Sequence, residues 1–231
     1  MILPILLAIA AILLGVVCFV ISNILYKKTS YYKITKRSFW SLHNDIGALG
    51  EYAIYKKLKF FEQTSAKFLF NLYLPTSHGK TTEIDEIMIS SHGIFVFESK
   101  NYKGWIYGKE NDTHWTQVLS QGQINNRFYN PILQNDGHIH HLTKLLTAAV
   151  PIYSIIVFSD NANLKNLQIP TSNALILNRG LLAWKLKKFH QQSINTKLTP
   201  QEIEQLYAKL YPYTQVDEAI KKQHVSNIHH D

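Results

Sequence analysis

The sequence predicts an α/β (α+β) domain preceded by one transmembrane helix. Three features carry that expectation. The chain starts with a long uncharged apolar run, Lys67 to Leu119 holds a succession of short strand-like runs, and a proline-initiated helix followed by an apolar β-branched run comes after them. At 231 residues the chain is long enough for one domain with a proper core plus appendages, and its 46% apolar and 17% charged content excludes a wholly disordered chain.

Met1 to Tyr26 contains no charged side chain, and Ile2 to Leu25 is apolar apart from Pro4, Gly15, Ser22 and Asn23. Such a run suffices to cross a hydrocarbon layer of roughly 30 Å as a helix, so residues 1–26 are expected to have the lipid bilayer as partner. A cleaved signal peptide would need basic residues before the run and a small-x-small site after it, and both are missing. Cys18 follows Val17, whereas a lipoprotein signal places a small residue there. With 1 cysteine the chain has neither an intrachain disulfide framework nor a thiolate metal cluster.

Lys27, Lys28, Lys33, Lys36 and Arg37 follow directly with no acid among them. They hold most of the imbalance of 24 basic against 16 acidic residues behind the formal net charge of +8. Residues 27–42 read as a basic juxtamembrane linker. By the positive-inside rule the chain is a single-pass protein of the cell membrane, N-terminus outside and C-terminal domain cytoplasmic. Tyr26, Tyr31, Tyr32 and Trp40 fit an interfacial aromatic belt. The pI near 9.4 is weak grounds for nucleic-acid binding, because juxtamembrane lysines attract anionic lipid equally well.

Residues 43–160 read as the main domain. An amphipathic helix is expected from His43 to about Phe61, with Glu51, Ile54, Leu58 and Phe61 on one stripe and Gly47 and Gly50 one turn earlier. Glycines cost a helix about 1 kcal/mol each relative to alanine, so two of them beside a core-facing carboxylate mark a close approach by another backbone or a ligand. Lys67 to Leu74, Glu83 to Ser90, Gly93 to Asn101, Gly104 to Glu110 and His114 to Leu119 read as an antiparallel meander. A helix is expected from Asn130 as N-cap and Pro131 as first residue to about Thr147, then a buried strand from Ile152 to Phe158. Residues 161–231 form a C-terminal α/β extension and tail. It holds a strand at Ala174 to Leu177, a basic helix at Gly180 to Phe189, and a capping box at Thr199 and Glu202 opening a helix to about Tyr211. Pro212 stops that helix, and a frayed tail runs to His229-His230-Asp231.

The hairpin from Glu83 to Lys100 is the informative stretch. If its turn is symmetric about Ser91 and His92, Ile89 meets Ile94, Ile87 meets Val96, and Asp85 meets Glu98, all on one face that Lys100 shares. Opposed carboxylates destabilise a sheet, and burial raises the pKa of at least one unless a cation intervenes. A divalent metal resolves the conflict; so does a plain ion network in which Lys100 neutralises Glu98. An odd-length turn would instead set Asp85 against Phe97 or Ser99.

Asp85 followed by Glu98-Ser99-Lys100 resembles the D…(D/E)-x-K signature of restriction-endonuclease-like nucleases. More closely, four motifs in order resemble the nuclease-related domain (NERD) family: Gly47-Ala48-Leu49-Gly50-Glu51, Glu83-Ile84-Asp85, Gly93 through Gly104, and Asn130-Pro131-Ile132-Leu133-Gln134-Asn135. The resemblance implies a central mixed sheet flanked by helices, Mg²⁺ or Mn²⁺ held by Asp85 and Glu98, and Glu51 supporting the metal. It implies that Lys100 orients or activates water and that Gln134 is the helix residue nearest the site. The activity implied is metal-assisted hydrolysis of nucleic acid, with no small-molecule cofactor. The alternative is a catalytically inactive tethered module that binds nucleic acid or protein. Helical spacing also turns His138 inward with Gln134.

Other signals have plainer readings. Gly79-Lys80-Thr81 lacks the first glycine of a phosphate-binding loop and precedes a strand. His138, His140 and His141 read as surface or site-lining, not as a metal site. Lys185, Lys187 and Lys188 form a solvated helix face, and Trp105 and Trp115 pack within the sheet.

Overall fold

Helix α1 (Ile2–Lys27) leaves its apolar side chains bare, with Leu3 69% and Leu14 64% exposed, in a computed structural model that describes residues 2–76, 79–119, 124–146, 149–169, 173–192 and 198–228. Among the described residues it is the one helix long and apolar enough to cross a membrane, and none of its apolar window is buried. Of its residues only Tyr26, in the last turn, is buried. Tyr26 is 1% exposed and donates its hydroxyl to the Arg37 carbonyl at 2.8 Å.

Residues 27–42 are not an extended linker. Thr29 caps helix α2 (Ser30–Thr35) and Ser38 caps helix α3 (Phe39–His43), each side chain accepting a backbone N–H of the first turn. Tyr31, Ile34 and Leu42 from this stretch are buried in the main core. Two members of the expected aromatic belt, Tyr26 and Tyr31, are therefore core residues, because their rings pack with Tyr52 and Phe70. Helix α4 (Ile46–Leu58) begins later than the apolar stripe suggests: the Asp45 carboxylate accepts the Ala48 N–H at 3.1 Å and starts the helix there. A 3₁₀ turn, Lys59–Thr64, carries the stripe on to Phe61.

Nine strands form two mixed sheets among the described residues. The first has the order β1-β2-β3-β7-β9: β1 (Lys67–Pro75), β2 (Thr81–Ser90) and β3 (Gly93–Lys100) are antiparallel, and β7 (Ile152–Phe158) and β9 (Leu175–Asn178) extend it in parallel. The second has the order β6-β5-β4-β8, from β4 (Gly104–Lys109), β5 (His114–Leu119), β6 (Ile124–Tyr129) and β8 (Ala162–Gln168). The expected single meander is thus broken between β3 and β4. Gly104 takes φ +82°, a region that favours glycine, and a side chain there would run into the Val118 carbonyl. This turn sends the chain into the second sheet, whose small core is built on Ile106, Trp115, Ile132, Ile156 and Phe158. Trp115 packs as expected, while Trp105 is 50% exposed.

Helix α5 (Pro131–Leu146) starts at Pro131, with the Asn130 Oδ1 accepting the Ile132 N–H at 2.9 Å; Thr147, its expected end, lies outside the described residues. Asn135 donates to the Val96 carbonyl at 3.2 Å and the Ser154 hydroxyl at 2.8 Å, fixing α5 on the Val96 and Glu98 face of β3. Helix α4 lies on the other face. A Cβ at Gly50 would stand 2.8 Å from the Ser99 Oγ and 3.0 Å from the Asn101 Cβ, so a glycine permits that approach. Helix α6 (Arg179–Gln192) shares α4's face, where His190 meets the Ser90 hydroxyl and the Phe95 ring. The expected capping box opens helix α7 (Pro200–Leu210). The tail is not frayed as far as Ile228: helix α8 (Glu218–Ile228) seats a buried His224 against Thr81 and Tyr73. Residues 229–231 lie outside the described residues.

Candidate active site

Strand β2 brings Asp85 to the site by breaking its own ladder. The β2–β3 register follows the symmetric turn, with Ile89 facing Ile94, Ile87 facing Val96 and Glu86 facing Phe97, and pairing then stops one residue short of Asp85 and Glu98. On the β1 side pairing skips the same position, because Asn71 takes φ +52° between Phe70 and Leu72. Released on both sides, Asp85 accepts the Ser99 backbone N–H on its Oδ2 at 2.8 Å.

Glu98 lies beside it and is 1% exposed. Lys100 Nζ sits 2.7 Å from Glu98 Oε1 and donates to Gln134 Oε1 at 2.9 Å. The other oxygen, Glu98 Oε2, is 3.3 Å from His138 Nε2 but misaligned for a hydrogen bond, and neither atom has another hydrogen-bond partner. His138 Nδ1 meets the Thr82 hydroxyl at 2.6 Å.

These contacts divide the carboxylates by charge. Burial, then the neighbouring Glu98 and Glu51, pushes the Asp85 carboxyl well above its usual range. Burial would raise Glu98 too, but Lys100 and then His138 hold it below the usual carboxylate value. For Lys100 burial favours the neutral amine, and Glu98 and Asp85 outweigh it and keep the ammonium charged.

Glu51 lies in an adjoining cluster. Its Oε2 accepts from the Tyr31 hydroxyl at 3.2 Å and from Asn71 Nδ2 at 3.4 Å, and Asn71 also reaches Glu83 Oε1 at 3.3 Å. Burial and then the Glu83 charge push Glu51 up to about 7. Asp85, Glu98, Lys100 and Gln134 are thus brought together, whereas Asn71 joins Glu51 to Glu83 and not to Asp85. Sequence reasoning turned His138 inward as surface or site-lining, quoted Glu83 only within the Glu83-Ile84-Asp85 motif, and did not single out Asn71 or Thr82. Only Glu83, two residues before Asp85 on a strand, carried a visible signal; the roles of Asn71 and Thr82 come from contacts to α4 and α5.

Among the described residues no three His, Cys, Asp or Glu side chains converge as an all-protein metal cage. Two adjacent carboxylates with a lysine match the lesser demand of Mg²⁺, which keeps several waters and takes one or two carboxylates.

A mixed sheet that delivers two carboxylates and a lysine between flanking helices is an arrangement suited to a nuclease-related protein. Residues 46–159 match the family model of the nuclease-related domain, NERD, and the chain belongs to that family. An uncharacterized protein of Bacillus anthracis is 31% identical to it over 183 residues, covering 79% of this chain and 84% of that relative. No solved structure matches the chain.

Proposed function

We propose that the chain is a membrane-anchored, divalent-metal-dependent nuclease that hydrolyses phosphodiester bonds of nucleic acid on the cytoplasmic side of the cell membrane. The observation that carries this reading is the Glu98–Lys100 pair at 2.7 Å beside a buried Asp85 that accepts the Ser99 amide. The residues fit a hard divalent cation: Glu98 Oε2 is a buried oxygen lacking a hydrogen-bond partner, and Asp85 is a carboxyl whose ionisation needs added positive charge.

Asp85 and Glu98 would hold Mg²⁺ or Mn²⁺, with Glu51 and Glu83 contributing negative potential from behind. The chemistry supplied by the bound ion is polarisation of a phosphoryl oxygen and acidification of a water. Lys100, held protonated, offsets charge that builds on the phosphate and orients the attacking water. Gln134 fixes the ammonium through its 2.9 Å hydrogen bond, so that Lys100 remains in reach of a phosphate instead of folding onto Glu98 alone.

The test is cleavage of DNA and RNA by the full chain in detergent micelles with Mg²⁺ or Mn²⁺, beside Asp85→Ala, Glu98→Ala and Lys100→Ala. Loss of cleavage in all three supports the reading; indistinguishable behaviour of the four proteins overturns it. Protease protection of the C-terminal domain in intact cells is expected from the orientation, and digestion from outside contradicts it.

One observation favours a second reading, a catalytically silent tethered module that binds nucleic acid or protein. Lys100 already pairs with Glu98 Oε1 at 2.7 Å, which neutralises the carboxylate without an ion, and His138 stands beside the other oxygen. Cation-independent binding of nucleic acid, with no product at any cation concentration, selects it.

A further inference from the structure

We infer that the face formed by α3, the start of α4 and the basic corner between α1 and α2 docks flat on an anionic lipid surface. Trp40 and Ile46 would sit at the boundary of headgroups and acyl chains, with Lys27, Lys28, Lys33 and Lys36 against the phosphates. The inference rests on the reading of α1 as a membrane span.

Three observations converge on this face. The first is position. Phe39, in α3, packs edge-on against Phe19 at 5.6 Å and against Tyr26 at 5.5 Å. Phe19 precedes Tyr26 by two helical turns, roughly 10 Å along the axis of α1. Helix α3 therefore folds back along the span instead of hanging below it, and a bilayer that covers Phe19 meets the residue after Phe39.

The second is exposure. That residue, Trp40, is 70% exposed, as is Ile46 at the start of α4. Both are large and apolar, and tryptophan favours the membrane interface, where its ring lies among acyl chains and its N–H stays wet. The third is charge. Lys27, Lys28, Lys33 and Lys36, in the segment that joins α1 to α3, are exposed, and the first acidic residue of the chain, Asp45, is taken up by Arg37 at 2.5 Å. Each such cation near an anionic leaflet strengthens attachment about fivefold.

Docking would orient the candidate site as well as tether it. The Ile46 carbonyl accepts from Asn101 Nδ2 at 2.8 Å, and Asn101 directly follows Lys100. The lipid-facing end of α4 is thus clamped to the end of β3 that carries the site, so the site would be held beside the bilayer instead of swinging on a tether.

The test uses the full chain reconstituted in vesicles containing brominated phosphatidylcholine, with and without phosphatidylserine, followed by tryptophan fluorescence and an alkaline wash. Wild type is expected to be quenched, Trp40→Phe to lose most of the quenchable signal, and phosphatidylserine to deepen quenching in wild type but not in Lys33→Glu/Lys36→Glu. A chain that resists the wash while Trp40→Phe leaves quenching unchanged overturns docking and leaves the anchor standing. A chain stripped by the wash overturns the anchor and docking with it. Equal quenching in neutral and anionic vesicles overturns the assignment to anionic lipid.

Discussion

Asp85 Oδ2 accepts the Ser99 backbone N–H at 2.8 Å, so a side chain fills the ladder position left open where β2 and β3 part after Glu86 and Phe97. The bond fixes one carboxylate oxygen to the strand that carries Glu98 and Lys100. Strand separation is what lets two acids approach without sharing a ladder rung, where like charges directly opposite destabilise a sheet.

Asp85→Asn separates geometry from charge, because an amide oxygen still accepts from Ser99. Wild type is expected to melt higher with Mn²⁺ than without it, and Asp85→Asn to lose that rise. Stability without cation should change by less than about 1 kcal/mol, since the amide keeps the Ser99 hydrogen bond. Thermal scans with and without Mn²⁺ check it; a persisting shift places the ion elsewhere.

Removing Lys100 should cost more than removing its partner Gln134. Lys100→Ala leaves Glu98 buried without a cation, a loss of about 3–5 kcal/mol, whereas Gln134→Leu removes one charge-assisted hydrogen bond, about 1.5–3 kcal/mol. Urea denaturation orders the two, and an equal cost would contradict Lys100 as the charge that compensates Glu98.

Glu51 predicts a pH dependence. Its carboxyl is raised from the usual 4.5 to about 7, by burial first and Glu83 second. A raised folded pKa means that its contribution to stability is fully present below the unfolded value and is lost as pH rises through about 7. Glu51→Gln, permanently neutral, should match wild type near pH 4 and exceed it by about 3 kcal/mol near pH 8, measured with a chelator present. A constant difference across that range would contradict the shift.

Glu86 is buried between Phe70 and Phe97 on the neighbouring strands, and neither carboxyl oxygen has a hydrogen-bond partner. Burial, then Glu51 and Asp85, raises its pKa well above the usual range, which favours the neutral acid. Glu86→Leu should stabilise the protein by about 1–3 kcal/mol, because an unsatisfied polar group gives way to an apolar one of similar size. Chemical denaturation reads the change directly.

Tyr26 links the apolar helix to the domain through rings of Tyr32, Phe39 and Tyr52. Tyr26→Ala is expected to cost about 3–5 kcal/mol, as for other large aromatics cut from a core. A soluble fragment beginning at Tyr31 should therefore melt well below one that retains Tyr26.

What could be read from the chain was local. The uncharged run marked α1, the Ser91-His92 turn and period-two alternation set the β2–β3 register, and Pro131 and the Thr199–Glu202 box marked helix starts, because each signal lies within a few residues of its effect. The site was legible to the same extent: Asp85, Glu98 and Lys100 share one hairpin, and Gln134 and His138 share one helical stripe.

Tertiary structure alone decided the rest. The turn at Gly104 into a second sheet, the helices at 30–43 that draw Tyr31 into the core, the left-handed Asn71 that frees Asp85, and the docking of His224 on β2 all depend on partners tens of residues away. Short polar segments have weak intrinsic preferences, so burial against distant side chains chooses their conformation. Neighbouring residues carry the alternation that sets a register, whereas contacts across the folded chain decide which sheet a strand joins and which charges it meets.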